Sequence, residues 1–325
     1  MSGTEPSVVE PAESLGRGGG TIRARSKRGK RGKRGKRGNR RFAQWSEYIA
    51  LRIAVAIVRV LPRACALWLG GQGGRLARLL GARRGVVQTN LAHVGYSPEE
   101  QQRIEAKLYR QTGRYMIDAL RGVNVPFELD QASGDALQAA AADRKGVLCL
   151  FAHLGNWELL LPFLGGQLSP GMVVAKPLHN PLINRWLERR RAAQAPDLAF
   201  VAPRNALRQS LKSLRAGGLA AFAIDQYGGS SSPCVSFLGQ PARTVRSTAG
   251  LEQRTHCRVV GVYALLDGSN TYQIMLEALP PAAQDAGTPE LLERHNTLIS
   301  GWVRKHPEHW FGWFHRRFKD VVEYP

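Results

Sequence analysis

Short apolar runs alternate with amphipathic stretches from residue 146 to residue 279. The runs that predict β-strands cover 146–152, 172–176, 198–202, 219–225, 258–266 and 271–279. Helical periodicity at 156–167, 180–194 and 204–216 separates the first four of them. This alternation predicts an α/β fold with a central, mainly parallel sheet that is flanked by helices. The last two strands, which Asp-Gly-Ser-Asn separates, predict an antiparallel hairpin.

The region before residue 146 has helical periodicity only. Residues 71–135 predict helices, and Ser97 with Glu100 predicts a capping box at the start of one of them. An apolar segment at 48–70 is interrupted by Pro62 and by Arg52, Arg59 and Arg63. Since the three arginines fall on one side of a helix, the pattern favours a helix that lies in a membrane interface. A membrane-crossing helix with snorkelling ends and an amphipathic helix packed on a soluble domain are the alternatives.

Residues 1–41 have too few apolar positions to bury, and we expect them to be disordered. The triplet Lys-Arg-Gly occurs four times between residues 27 and 38. This pattern is compatible with three hypotheses: a solvated tail, a tether to anionic lipid, or a nucleic-acid-binding segment. The sequence therefore predicts a disordered basic tail at 1–41, a membrane-associated amphipathic or transmembrane helix at 42–71, and a folded domain at 72–325.

Charge and cysteine content narrow the class of protein. The formal net charge is +21, of which residues 21–41 contribute +12 and residues 1–20 contribute −2, which leaves +11 for residues 42–325. The folded part is therefore basic in its own right, as suits a partner that carries phosphates. The four cysteines are scattered without metal-ligand spacing, which predicts a reduced compartment and no structural metal.

Candidate chemistry lies where the predicted strands end, because ligands bind at the carboxyl edge of open α/β sheets. His153, the stretch 175–182 and Asp225 all fall there. A histidine titrates near neutral pH, and Glu158, one helical turn into the next element, would accept a hydrogen bond from its ring. The sequence has no GxSxG motif, which would mark a serine nucleophile. The pair therefore predicts general-base activation of a substrate hydroxyl. The backbone N–H groups of 155–157 would bind an oxyanion. Alternatively, His153 and Glu158 form a hydrogen-bonded pair with a purely structural role.

The stretch HLGNWE at 153–158 matches the H-x4-[DE] signature of glycerolipid-type acyltransferases. Within that superfamily, the chain resembles the bacterial lipid A late acyltransferases of the lauroyl/myristoyl type. Four more blocks are similar to the family in the same order: KPLHNPLINRWLERRR (176–191), AIDQYGG (223–229), FLGQPARTVRSTAGL (237–251) and HPEHWFGWFHRRFK (306–319). Tyr227 stands where the family often has Asp.

This resemblance implies an acyltransferase domain at 72–325 in which His153 and Glu158 form the catalytic pair. Substrate-binding residues are expected at Asn156, Trp157, Asn180, Arg190, Asp225, Gln226 and Arg243. The implied donor is acyl carrier protein or acyl-CoA, and the acceptor is a lipid A precursor. No metal or cofactor is required. The implied location is the anionic cytoplasmic face of the inner membrane.

Two alternatives remain at this stage. The acceptor of the acyl chain could be another glycolipid, such as a phosphatidylinositol mannoside, or a lysophospholipid. In a different class, the basic tail would make the chain a nucleic-acid-binding protein. That reading is disfavoured, because residues 21–38 contain no aromatic side chain and the folded part has no nucleic-acid-binding motif.

Overall fold

The structure is a computed structural model that describes residues 28–122, 125–168 and 170–325. The helices of these residues are α1 (Arg28–Val60), α2 (Arg63–Leu79), α3 (Arg84–His93), α4 (Pro98–Arg121), α5 (Gln131–Ala142), α6 (Trp157–Gln167), α7 (Pro181–Gln194), α8 (Pro203–Arg215), α9 (Ser247–Thr255) and α10 (Thr288–Lys305). The strands are β1 (Phe127–Leu129), β2 (Val147–Gly155), β3 (Gly171–Val174), β4 (Leu198–Val201), β5 (Leu219–Ala223), β6 (Cys234–Phe237), β7 (Gln240–Arg243), β8 (Arg258–Leu266) and β9 (Tyr272–Ala278). Two short 3-10 helices, Pro307–His309 and Phe311–Phe314, follow α10.

Seven strands form one sheet in the order β1-β9-β8-β2-β5-β3-β4. All neighbouring pairs are parallel except β8 and β9, which form the predicted antiparallel hairpin. The six predicted strands and the three helices between the first four are therefore confirmed. Three strands were not predicted: β1, which is only three residues long, and the β6–β7 hairpin, which lies outside the main sheet.

The central strand β2 is buried along nearly its whole length because helices cover both faces of the sheet. Its side chains alternate between two hydrophobic clusters. Leu148 and Leu150 join the cluster that packs against α3, α4, α8, α9 and α10, whereas Val147 and Cys149 join the cluster beneath α5 and α6. This double burial fixes the position of the residues that follow β2.

The predicted capping box at the start of α4 is confirmed. Ser97 accepts a hydrogen bond from the Glu100 N–H at 3.3 Å, and the Glu100 carboxylate accepts one from the Ser97 N–H at 2.9 Å. Further along, α4 packs closely against α2. A Cβ on Gly74 or on Gly113 would lie 2.0 Å from a backbone oxygen of the other helix, so only glycine permits this approach.

The N-terminal helices differ from the single segment that the hydropathy pattern suggests. The helix α1 ends at Val60 and α2 begins at Arg63, because Pro62 lacks an N–H and disfavours helical backbone before it. Of the three arginines, Arg52 and Arg59 are exposed and Arg63 is partly buried. Arg59 donates a hydrogen bond to the Arg121 carbonyl, and Arg63 donates to Asp118. No helix in the described part of the chain combines the length and the apolar character that a bilayer crossing needs.

The chain divides into two units, residues 1–45 and residues 46–325. Of the predicted tail at 1–41, residues 1–27 lie outside the described residues, and residues 28–41 belong to α1. In the second unit, α1 leaves one apolar stripe open to solvent, formed by Ile49, Ile53, Ile57 and Val60. The exposed apolar residues of α2 and the turn after it are Trp68, Leu69, Leu76, Leu79 and Leu80.

Candidate active site

His153 lies in an irregular stretch near the carboxyl end of β2. Phe151 pairs with Val262 and Gly155 with Ala264, so four residues of β2 span the length of two residues of β8. Such a bulge redirects the side chains of the residues inside it. Gly155 closes the bulge with a φ of +66°, and a Cβ there would lie 1.9 Å from the Ala264 oxygen. The glycine of HLGN is thus required by the close contact with β8.

Asp225 is the carboxylate that holds His153. It follows β5, the parallel neighbour of β2, and its side chain is fully buried. Its Oδ1 lies 2.9 Å from His153 Nδ1, and its Oδ2 accepts the His153 backbone N–H at 2.9 Å. Trp310 Nε1 donates to the same Oδ2 at 2.8 Å. Because His153 Nδ1 donates its hydrogen to Asp225, Nε2 is the ring nitrogen that can take a further proton.

The pKa values of the two groups are displaced in opposite directions. Burial by itself would raise the pKa of Asp225, but the charge of His153 and hydrogen bonds from His153 and Trp310 outweigh it and lower the pKa to about 2. Burial alone would lower the pKa of His153, whereas the charge and hydrogen bond of Asp225, with a smaller effect of Glu158, raise it above its usual value. The Asp225 carboxylate therefore stabilises the positive charge that the His153 ring gains when it takes a proton.

Glu158 does not take the role that the sequence analysis assigned to it. Its two carboxylate oxygens accept hydrogen bonds from Arg191 Nε and Nη2, each at 2.7 Å. The cause is geometric: Glu158 is the second residue of α6 and faces α7, which carries Arg191. The acid that orients His153 is Asp225 instead. Glu158 stays close enough for its charge to raise the pKa of His153.

Asn156 and Trp157, the two residues before Glu158, point in different directions and have different partners. Asn156 is buried, and its Nδ2 donates to the Tyr272 hydroxyl at 2.8 Å and to the Tyr115 carbonyl at 3.3 Å. Its side chain therefore does not cap α6. The Trp157 ring, by contrast, lies edge-on to the His153 ring with centroids 4.9 Å apart. Trp157 thus lies in the site. The Asn156 amide instead connects the turn after His153 to β9 and α4.

The backbone N–H groups proposed for an oxyanion are only partly available. The Asn156 N–H donates to the Ala264 carbonyl at 3.0 Å, which removes it from the predicted set. The N–H groups at the start of α6 point along the helix axis, and the first turn of a helix has no intrahelical acceptor for them. The positive end of the α6 dipole therefore lies next to His153.

The loop after β5 brings Gln226 to the other side of the imidazole. Gln226 Nε2 lies 3.4 Å from His153 Nε2. The buried Arg317 holds this loop by donating to the Gln226 carbonyl at 2.9 Å, and burial lowers its pKa to about 10. Arg243, predicted to bind substrate, pairs with Asp320 at 3.0 Å and remains partly exposed. Gln226 therefore lies in the site, and Arg317 links the site to the C-terminal HRRFK block.

Asn180 and Arg190 have clear structural partners. Asn180 caps α7 by accepting from the Leu182 and Ile183 N–H groups, and its Nδ2 donates to Glu47 at 2.9 Å. Arg190 donates to the carbonyls of Ala119 and Leu120 at the end of α4. It is Arg191, the next residue, that reaches Glu158. The substrate-binding roles expected for Asn180 and Arg190 stay predictions.

Trp310 and His315 complete the site; the C-terminal block of the sequence made His315 a candidate to line it, whereas Trp310 was not predicted there. Trp310 is fully buried, and its backbone pairs with that of Leu154, which places its indole N–H against Asp225. The His315 ring centroid lies 6.4 Å from that of His153. Their only sequence signal is membership of the C-terminal family-like block. Among the described residues, no group of three or more His, Cys, Asp or Glu side chains is arranged to hold a metal ion.

Comparison with known proteins gives one result that bears on this site. The family model described as bacterial lipid A biosynthesis acyltransferase matches residues 35–320. The match includes β2, the loop after β5 and the C-terminal block, and therefore all the residues around His153. A comparison with curated proteins found no match.

Proposed function

Since the chain belongs to the bacterial lipid A biosynthesis acyltransferase family, we propose that it moves an acyl chain from a thioester donor to a hydroxyl of a lipid A precursor, with His153 as general base. Acyl transfer in lipid A biosynthesis is the activity of the family as a whole. The donor, the base and the membrane location belong to the proposal. The observation that carries it is the double hydrogen bond from His153 to the buried Asp225.

In the proposed reaction, Nε2 of His153 accepts the proton of the acceptor hydroxyl while the oxygen attacks the thioester carbonyl. Asp225 keeps Nδ1 protonated and stabilises the imidazolium that forms, so it acts as a positioning residue. The imidazolium then gives its proton to the leaving thiolate. No covalent enzyme intermediate is needed, because His153 activates the acceptor directly and the free cysteine closest in sequence, Cys149, is buried within β2.

The negative charge that develops on the carbonyl oxygen needs a donor nearby. The start of α6 supplies it in this proposal, through the N–H groups of Trp157 and Glu158 and the positive end of the helix dipole. Glu158 would oppose an oxyanion if its charge were free. Its bidentate pairing with Arg191 balances that charge and holds the first turn of α6 in place.

The proposed location is the cytoplasmic face of the inner membrane. The exposed apolar stripe of α1 at Ile49, Ile53, Ile57 and Val60 supports it, since it would insert among lipid chains as the helix lies along the surface. The net charge of +21 supports binding to anionic headgroups. The donor is proposed to be acyl carrier protein or acyl-CoA, both of which present a thioester.

The test is acyl transfer by membranes that contain the wild-type protein, His153→Ala or Asp225→Asn. Each is offered labelled acyl carrier protein or acyl-CoA with a lipid A precursor, and the products are identified by mass. We expect transfer by the wild type, with losses on the order of 10³-fold or more in both variants. Full activity of a folded His153→Ala protein would overturn the mechanism. Transfer only to a lysophospholipid or another glycolipid would overturn the acceptor.

A further inference from the structure

The outward side of α8 carries a row of positive charges. The row consists of Arg204, Arg208, Lys212 and Arg215, which are all exposed and whose spacing places them on one side of the helix. The helix contains no acidic residue. None of the ion pairs among the described residues includes a member of this row. Its charge is therefore available to a partner.

The neighbouring helix α9 extends this basic face. It packs against α8 and exposes Arg246 and Arg254, which also lie outside the ion pairs of the described chain. The one acid of α9, Glu252, is buried and pairs with His295 and Arg294. The row on α8 and the two arginines of α9 together form what we call the basic surface.

Apolar side chains lie within the basic surface. Leu207 is 42% exposed and Leu211 is half-buried, and both lie beside the row of cations on α8. Apolar contacts bordered by charged groups are typical of a protein–protein interface. The face is the outside of a helix, whereas small ligands bind in clefts and cavities. These features favour a protein partner with an acidic surface.

The basic surface begins at the edge of the sheet that carries His153. The helix α8 follows β4, which is parallel to its neighbours, so Arg204 lies near the carboxyl edge and Arg215 near the opposite edge. Arg246 comes two residues after Thr244, whose hydroxyl accepts a hydrogen bond from Arg317. Since Arg317 also holds the loop of Gln226, the start of α9 lies near that loop.

The direction of the row distinguishes a protein partner from a membrane. The helix α1 and the start of α2 lie at the carboxyl edge, because Glu47 accepts from Asn180 after β3 and Arg63 donates to the Asn270 carbonyl in the β8–β9 turn. The row on α8 runs away from this edge over about 16 Å, at 1.5 Å per residue. That distance is longer than the Debye length of about 8 Å at physiological salt. A bilayer against α1 would leave the far end of the row unused.

We propose that the basic surface of α8 and α9 binds an acidic acyl carrier protein, which delivers the thioester donor to His153. This inference rests on the proposed function and selects between its two donors. The carrier bears its acyl chain on a flexible prosthetic arm. Its body can therefore rest on α8 while the arm reaches across the carboxyl edge to the site. Opposite charges would also speed the encounter of the two proteins.

The test reverses two charges in the middle of the row, in the double variant Arg208→Glu with Lys212→Glu. Both side chains are exposed, so the variant is expected to fold. The matched control is Arg103→Glu with Lys107→Glu, an exposed pair with the same spacing on α4 that also lies outside the ion pairs of the described residues. For the three proteins, kcat and KM are measured with acyl carrier protein and with acyl-CoA that bear the same chain.

With the carrier as donor, we expect kcat/KM of the α8 variant to fall by about tenfold or more, mainly through KM, because the encounter loses its electrostatic attraction. With acyl-CoA all three proteins should agree, and the control should resemble the wild type with both donors. An unchanged KM for the carrier in the α8 variant would overturn the proposal. An equal loss with both donors would overturn it too, since the defect would then lie in the active site or the fold.

A binding measurement separates this inference from the proposed function. Isotope-labelled apo-acyl carrier protein, which lacks the prosthetic arm, is titrated with each detergent-solubilised protein and followed by NMR at low and at physiological salt. Weaker binding by the α8 variant alone, with a flatter salt dependence, would support the basic surface even if His153 were not the base. Equal affinities of the three proteins would refute it. Loss of binding to anionic vesicles in the α8 variant, with unchanged carrier affinity, would assign the surface to lipid instead.

Discussion

Asp225 binds His153 at two points, accepting its backbone N–H and its ring Nδ1, each over 2.9 Å. The two contacts fix both the position and the rotation of the imidazole. Trp310 donates a third hydrogen bond to the same carboxylate. The charge and hydrogen bond of His153, with the hydrogen bond from Trp310, lower the pKa of Asp225 although it is fully buried. The orienting acid thus comes from the neighbouring strand end, and Glu158, five residues along the chain, pairs with Arg191.

This arrangement predicts a specific pH dependence. Asp225 raises the pKa of His153, so the fraction of free base in the wild type falls as the pH drops through a value above 6.5. In Asp225→Asn the raising charge is lost and burial, which lowers the pKa, prevails. We expect its kcat/KM to be much lower but its acid limb to shift to lower pH. The measurement is kcat/KM against pH for both proteins.

Glu158→Gln is the control for that experiment. The charge of Glu158 raises the pKa of His153 less than Asp225 does, so its removal should move the acid limb in the same direction by a smaller amount. A larger shift in Glu158→Gln than in Asp225→Asn would assign the orienting role to Glu158 after all.

A second prediction concerns the Glu158–Arg191 pair. Both side chains are about 17% exposed and share two hydrogen bonds of 2.7 Å. Glu158→Gln, Arg191→Met and the double variant should show a coupling free energy of unfolding of roughly 1–3 kcal/mol. Chemical denaturation measures it.

The more exposed pair Arg258–Asp143 offers a matched comparison. The cycle of Asp143→Asn with Arg258→Met should give a coupling below about 1 kcal/mol, because solvent screens the charges. Equal coupling in the two cycles would show that Glu158 and Arg191 contribute no more than a surface pair, and would remove the proposed role of Arg191 in holding α6.

A third prediction tests Asn156. Its amide joins the turn after His153 to Tyr272 of β9, whose hydroxyl also donates to Asp118. Asn156→Ala should lower the free energy of unfolding by about 1–3 kcal/mol, since buried polar partners lose a hydrogen bond. Thermal or chemical unfolding measures this change. A substrate contact would show differently: kcat/KM would drop while stability stayed at the wild-type value.

A fourth prediction concerns the membrane. Ile53→Glu with Ile57→Glu places two charges in the exposed apolar stripe of α1 and should weaken binding to anionic vesicles by about tenfold or more. Vesicle sedimentation measures the bound fraction. Val321→Glu, an exposed apolar residue near the C-terminus, is the control and should bind like the wild type. If the double variant also bound like the wild type, α1 would not be the inserting element.

The sequence by itself determined the α/β class and the strands on both sides of the candidate site, and it singled out His153 as the candidate base. These features depend on local patterns: an apolar run that ends at His153, a helix start after it and motif blocks in a fixed order. The capping box of Ser97 and Glu100 is equally local, which explains why it was predictable.

Only the tertiary structure decided which carboxylate serves His153. Asp225 is 72 residues away along the chain and reaches the imidazole because β5 pairs with β2 in parallel, so that their ends coincide. Glu158 is near in sequence, but α6 directs it toward α7 and Arg191. Trp310 reaches Asp225 over a longer separation still. Side-chain partners of this kind follow from strand order and helix packing, which no local pattern encodes.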